Sequence, residues 1–181
     1  MVYNITIHKT ATHHHGSFRG VVQPAVQHSL RTRYGYNEAT GEPAQWVIPA
    51  ETFDFPMEHL IVDSVGKAQQ LLQKELETPH KLEQGVLRVL LVTVERSSDS
   101  PLQLVVLNVH HIGTDGISHD VMWTQLGEVY NSLVAGEQYE LDPLPIQYVD
   151  YAAWQQRRFG SGNRLEEELQ WWHQLLGDRA L

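Results

Sequence analysis

"LQLVVLNVHHIGTDGIS" runs from Leu102 to Ser118 and holds a strand, a turn and the start of a helix. From Leu102 to His111 both alternating sets of positions are rich in Leu and Val, which suits a strand buried on its two faces. The run ends in two adjacent imidazoles, His110 and His111, followed by Gly113, Asp115 and Gly116. After Gly116 the apolar period changes from two to 3.6. Ile117, Val121, Met122, Leu126, Val129, Tyr130, Leu133 and Val134 form one wide helical stripe, and Gly136 is a natural C-terminal stop.

Working outward, "GVLRVLLVTV" (Gly85–Val94) is a second strand of the same kind, a central one by its composition, and the two can pair as a hairpin across the polar turn "ERSSDSP". Asp63 to Glu77 reads as a helix, with Val65, Ala68, Leu72 and Leu76 on one face. Asp63 or Ser64 caps its start and Pro79 prevents its continuation. Val22, Val26 and Leu30 suit a further helix that starts or kinks at Pro24. "NEATGEP" is a turn, and Gln45–Ile48 a short strand. A proline-bounded linker leads to a helix from about Gln147 to Phe159, which "GSGN" breaks. A last helix carries Leu165, Leu169, Trp172 and Leu176, with Asn163 and Glu166 forming a reciprocal cap. The sum is an α+β fold, a mixed sheet with helices packed on it.

The chain has 181 residues, 41% apolar and 19% charged, enough for one domain with a real core or for part of a larger one. A net charge of −9 argues against nucleic acid, whose phosphates want a basic face. No apolar run reaches membrane-spanning length, and the start lacks the apolar stretch of a signal peptide. Without cysteine there are no disulfides, thiolate metal sites or thiol nucleophiles. A cytoplasmic location fits.

The turn at 110–116 is where chemistry is to be sought. Along a strand, side chains alternate faces, so His110 and His111 point opposite ways, one packed into the fold and one presented to a cavity. Gly113 and Gly116 permit unusual backbone angles at the sharp turn. Asp115 sits at the start of the next helix, where free N–H groups favour a carboxylate, and Ser118 can help cap it. Asp115 can also hold the loop by pairing with a cation. A neutral imidazole, with a reference pKa of about 6.5, shares a proton near neutrality, as an amine or hydroxyl needs when it attacks a thioester. The plainer reading is a pair of hydrogen-bonded structural histidines.

His110-His111-Ile112-Gly113-Thr114-Asp115-Gly116 resembles the His-His-x-x-x-Asp-Gly signature of nonribosomal peptide synthetase condensation domains. Ile117-Ser118, "EVYNSLVAG", "LPIQYVDYAAWQ" (Leu144–Gln155), "LEEELQWWHQLLGD" (Leu165–Asp178), "LRTRY" (Leu30–Tyr34) and "HKLEQGVLRVLLV" also look like that family, in the family's order. The resemblance implies a lobe similar to chloramphenicol acetyltransferase, one of two that flank a tunnel. It implies amide formation between a carrier-protein-bound acyl or peptidyl thioester and an aminoacyl amine. The partners it implies are peptidyl or acyl carrier proteins, a second lobe and neighbouring synthetase domains, with no nucleic acid and no membrane. No cofactor is bound directly; the carriers' phosphopantetheine arms arrive as substrates.

By the same resemblance, His111 is the catalytic residue, taking a proton from the amine or orienting it, and His110 supports it. Asp115 holds the loop through a salt bridge, with Arg31 as first candidate partner and Arg88 as second, and Gly116 leaves room beside the tunnel. The sequence departs from the family pattern in three places. Nothing matches the opening Ser-x-Ala-Gln-x-Arg motif. Val26, Gln27 and His28 stand where Arg-His-Glu is usual. The matching motifs end where a second lobe would begin, so residues 1–181 read as a single domain, the N-terminal lobe of a condensation domain with its second lobe absent, inactive in isolation.

An epimerisation domain carries the same paired histidines and stays open. Heterocyclising relatives use an Asp-rich motif, which the pair here argues against. A coenzyme A-dependent acyltransferase completed by oligomerisation, a non-catalytic carrier-binding remnant, and a metal site of His111, Asp115 and His119 are the other readings. For His119 the simpler account is one exposed histidine on a helix face. His13–His15 read as a solvated loop, Trp123, Trp154, Trp171 and Trp172 as core and lobe-contact residues, and Glu166–Glu168 as a solvated helix face.

Overall fold

The computed structural model describes residues 2–7, 28–95, 101–137, 142–160 and 162–177. The helix expected around Pro24, His13–His15 and most of the 95–101 turn lie outside them. The chain divides into two compact units, Met1–Leu141 and Asp142–Leu181.

The first unit is built on a four-stranded sheet in the order β1-β6-β5-β4, made of β1 (Val2–Ile7), β4 (Met57–Val62), β5 (Leu87–Val94) and β6 (Leu102–Val109). The two apolar runs are the central strands and pair antiparallel, Leu87 opposite Val109 and Val94 opposite Leu102. β4 runs parallel to β5 and reaches it through helix α1 (Val65–Glu77), the crossover that a parallel pair requires. Ser64 caps α1, its hydroxyl accepting from the Lys67 N–H at 3.4 Å. The helix ends at Glu77, before Pro79.

The period of two sorts the central strands into two cores. Leu87, Val89, Leu91, Val105, Leu107 and Val109 join Phe53, Phe55, Leu126 and Val129 on one face. Leu90, Val92, Val94 and Val106 meet Ala68 of α1 on the other. Both sets are almost free of solvent, which explains the near-continuous Val and Leu in these strands. At the entrance to β5 stands Gly85, with φ +135°; a Cβ there would lie 2.5 Å from the Arg33 guanidinium.

A two-stranded hairpin, β2 (Thr32–Tyr36) and β3 (Pro43–Val47), follows a short 3-10 turn at His28–Arg31. Its loop is the expected turn: Asn37 Oδ1 accepts from the Ala39 N–H at 2.9 Å, and the Asn37 N–H donates to the Glu42 carbonyl at 2.8 Å. Helix α2 (Gly116–Ala135) stops at Gly136, whose φ of +77° closes the last turn. Only part of its predicted stripe is used. Leu126 and Val129 are buried, with Met122, Trp123 and Tyr130 packed beside them, whereas Ile117, Val121, Leu133 and Val134 stay exposed. His119, expected as an exposed histidine, is buried instead.

The second unit contains α3 (Tyr148–Gly160) and α4 (Arg164–Leu176). The Asp150 carboxylate caps α3 by accepting from the Gln147 N–H at 2.8 Å. The reciprocal Asn163–Glu166 cap is not formed: Asn163 has φ −88° and ψ 7°, away from the extended backbone that aims a capping side chain, and it makes no side-chain cap bond. Glu166–Glu168 are exposed as expected, and so are the apolar Leu165, Leu169, Trp172 and Leu176. No helix among the described residues is long and apolar enough to cross a membrane.

Candidate functional site

β6 delivers the histidine pair. Its even-numbered positions face α1, and His110 continues that parity one residue past the strand end. The His110 N–H donates to the Val86 carbonyl at 2.8 Å, extending the sheet's bonding to the turn. His110 then caps a single 3-10 turn, His111–Gly113, where its Nδ1 accepts from the Ile112 N–H at 3.1 Å and its carbonyl from the Gly113 N–H at 3.0 Å. An imidazole that accepts at Nδ1 carries its proton, when neutral, on Nε2. His110 is half-buried and His111 exposed; the strand ends at Val109, so it is the 3-10 turn, not strand alternation, that separates the two rings.

Asp115 is the N-cap of α2. One carboxylate oxygen accepts from the Ser118 N–H at 2.8 Å and from the Ser118 hydroxyl at 2.6 Å. These bonds, the hydroxyl's first, hold its pKa below the ordinary carboxylate range, and the nearby His111 adds to the effect. An ionised carboxylate therefore lies within electrostatic reach of His111. The ion pair expected between Asp115 and Arg31 is not made. Arg31 is buried, and a terminal N–H donates instead to the Ile48 carbonyl, whose own N–H donates back to the Arg31 carbonyl at 3.1 Å. The Arg31 Nε–H has no hydrogen-bond partner among the described residues. Arg88, the second candidate, is committed to Glu75, Nε to Oε1 at 2.7 Å. The carboxylate of Asp115 is satisfied by a residue three positions on, so it needs no distant cation.

Gly113 and Gly116, which would permit unusual backbone angles, take no positive φ; the positive angles among the described glycines fall elsewhere. A Cβ at Gly116 would meet nothing within 4 Å. Space for a side chain at 116 is therefore open among the described residues. Ile112, next to His111, and Ile117, at the start of α2, are exposed at 46% and 78%. His119 is buried whereas His111 and Asp115 are exposed, and no group of three or more His, Asp or Glu that could hold a metal ion occurs among the described residues.

Three residues that the linear reading passed over complete the setting. The Tyr34 hydroxyl lies 3.5 Å from the Ile112 carbonyl, bringing "LRTRY" to the histidine turn. His80 stacks edge-on to His110, ring centroids 5.6 Å apart and planes at 78°. Asn108, buried in β6, places its Oδ1 2.9 Å from His80 Nε2. Only Asn108 carried a signal in the sequence, a lone amide inside a run of Val and Leu.

A model of the condensation domain family matches residues 3–180. The chain belongs to the condensation domain family. A component of the linear gramicidin synthase of Brevibacillus parabrevis is 35% identical over 154 residues, 82% of this chain and 2% of that protein. A probable non-canonical nonribosomal peptide synthetase of Salinispora arenicola is 28% identical over 179 residues, 96% of this chain and again 2% of its own length. Among solved structures, the X-domain from teicoplanin biosynthesis has a TM-score of 0.82 at 19% identity, covering 99% of this chain and 39% of the other. The epimerization domain from the third module of tyrocidine synthetase B has a TM-score of 0.78 at 17% identity, covering 99% and 41%. The fold is thus the α+β lobe of condensation domains, and the chain spans well under half of the solved chains it resembles.

Proposed function

We infer that this chain supplies the histidine-bearing wall of an acyl-transfer site that forms amides in nonribosomal peptide synthesis. The observation that carries this is His111: an exposed imidazole on a capped turn, at the end of a strand sealed on both faces. A sheet fixes the position of such a ring, and an imidazole is the side chain suited to sharing an amine's proton near pH 7.

In the reaction, the amine nitrogen of an aminoacyl group attacks the carbonyl carbon of an acyl or peptidyl thioester. The new C–N bond forms, the C–S bond breaks, the thiol leaves and the amine gives up a proton. His111 meets the attacking amine, orienting it or taking that proton. His110, its Nδ1 engaged with the Ile112 N–H, holds the turn's shape. Asp115 anchors the turn to α2, and the bare Gly116 leaves the approach open. The thioester and amine arrive on phosphopantetheine arms of acyl or peptidyl carrier proteins, and the rest of the condensation fold supplies the opposite wall.

The test offers two loaded carrier proteins to the chain alone and to the chain joined to the remainder of a condensation fold. Amide formation in the joined form, with little or none from the chain alone, is the expected result. Equal turnover with a soluble coenzyme A thioester in place of the donor carrier would instead favour a free-standing acyltransferase.

A further inference from the structure

Behind the histidine pair runs a polar chain that the reaction does not itself need. Arg88 of β5 and Asn108 of β6 are register partners and share the face covered by α1. Glu75 of α1 joins them: its Oε1 accepts from Arg88 Nε at 2.7 Å and from the Asn108 side-chain amide at 2.9 Å. The same amide group donates to the Glu75 carbonyl at 3.2 Å. With its NH2 end committed to two acceptors, Asn108 must turn its oxygen to His80, so His80 Nε2 carries a proton and donates. The His80 ring, fixed in this way, presses edge-to-face on His110. Burial lowers the His80 pKa, with Arg88 and His110 adding to the effect and the bond to Asn108 and the charge of Glu75 opposing it, so the balance favours the neutral ring.

We propose that His80 is a positioning residue: held by Asn108, Glu75 and Arg88, its ring sets the rotation of the His110 imidazole, and through the Ile112 N–H it sets the turn that presents His111. The mechanical route is short. His110 Nδ1 can accept from the Ile112 N–H only in one ring orientation, and Ile112 directly follows His111. The consequence for catalysis rests on the reading of His111 given above; the consequence for His110 does not.

The experiment separates the His80 ring from its hydrogen bond. His80→Phe keeps an aromatic edge against His110 and loses the bond to Asn108. His80→Gln keeps a donor for Asn108 and loses the ring. Long-range 1H–15N spectra of the 15N-labelled chain read the tautomer of His110, with backbone amide spectra confirming that each variant is folded. The parent should show His110 protonated at Nε2 alone; His80→Phe should keep that state, and His80→Gln should give a mixture. In the joined form of the protein, His80→Gln should lower kcat by up to about a hundredfold with little change in KM, the size expected of a reacting group displaced by about an ångström, and His80→Phe should recover most of the loss. An unchanged His110 tautomer in His80→Gln overturns the proposal. So does an equal change in both variants, which would make the hydrogen-bonded chain a structural brace. If the parent joined form makes no amide, the functional reading fails, and the tautomers still decide the role of His80.

Discussion

Val109 and His111 stand two residues apart, one fully buried and the other exposed. Val105 to Val109 are all buried, and from Val105 to Asn108 the strand is paired on both sides. From His110 to Ser118 the backbone is held by local bonds: an imidazole to a peptide N–H, a carboxylate to a hydroxyl and a peptide N–H. The comparison separates two duties. The sheet supplies position, and the turn supplies exposed chemistry at that position.

Truncations on either side of the boundary should break this comparison most clearly. Leu107→Ala opens a cavity in a core where Leu107 is 2% exposed, and should cost about 2–5 kcal/mol in urea unfolding. Ile117→Ala removes an equally apolar side chain from the turn and should change stability by no more than about 0.5 kcal/mol. A similar cost at both sites would mean that the turn is packed against something in solution.

Acid sharpens the same contrast, because the two regions titrate in different windows. Burial lowers the pKa of His80 and of His119, so the unfolded chain takes up protons on these groups before the folded chain does. Stability from these two histidines is full above an unfolded value of about 6.5 and declines as pH falls below it, toward their depressed folded values. Tm should therefore drop between pH 7.5 and 5.5, and drop less in His80→Gln. A rise in Tm over that interval would contradict the assignment. The cap at Asp115 behaves differently: its lowered pKa preserves stability down to about pH 3.9, the unfolded carboxylate value, and loses it as pH falls through the folded one. Asp115→Asn should keep a cap at every pH and flatten that acid limb, whereas Asp115→Ala should lose the cap at neutral pH too; both are smaller effects, read by thermal melts.

The strands at 87–94 and 102–109, the helix capped by Ser64 and the helix closed by Gly136 were legible because their signals are local: period, cap residue and stop residue. β1, β2 and β4 were not. β4, "MEHLIV", lies at the sheet's edge and mixes Glu58 and His59 with apolar residues, so no clean alternation marks it. His110, His111, Asp115 and Gly116 could be picked out because the motif is contiguous. The partners of those residues could not. Ser118 takes the carboxylate that a distant arginine was expected to take, and His80 reaches His110 only because the sheet register places Asn108 opposite Arg88. Long-range neighbours depend on register and on the crossover through α1, and neither is written in any one stretch. The helices of the second unit show the converse: both were expected from the sequence, the last from its apolar stripe, yet none of their described residues is buried.

The account turns on the imidazole at 111. The direct measurement is single-turnover amide formation from two loaded carrier proteins by the joined form, comparing the parent with His111→Ala and monitoring folding by circular dichroism. The expected result is a fall of about 10²–10⁴-fold in rate with an unchanged melting profile, the span typical of a lost acid–base group. A His111→Ala protein that is folded and forms the amide at the parent's rate would contradict it.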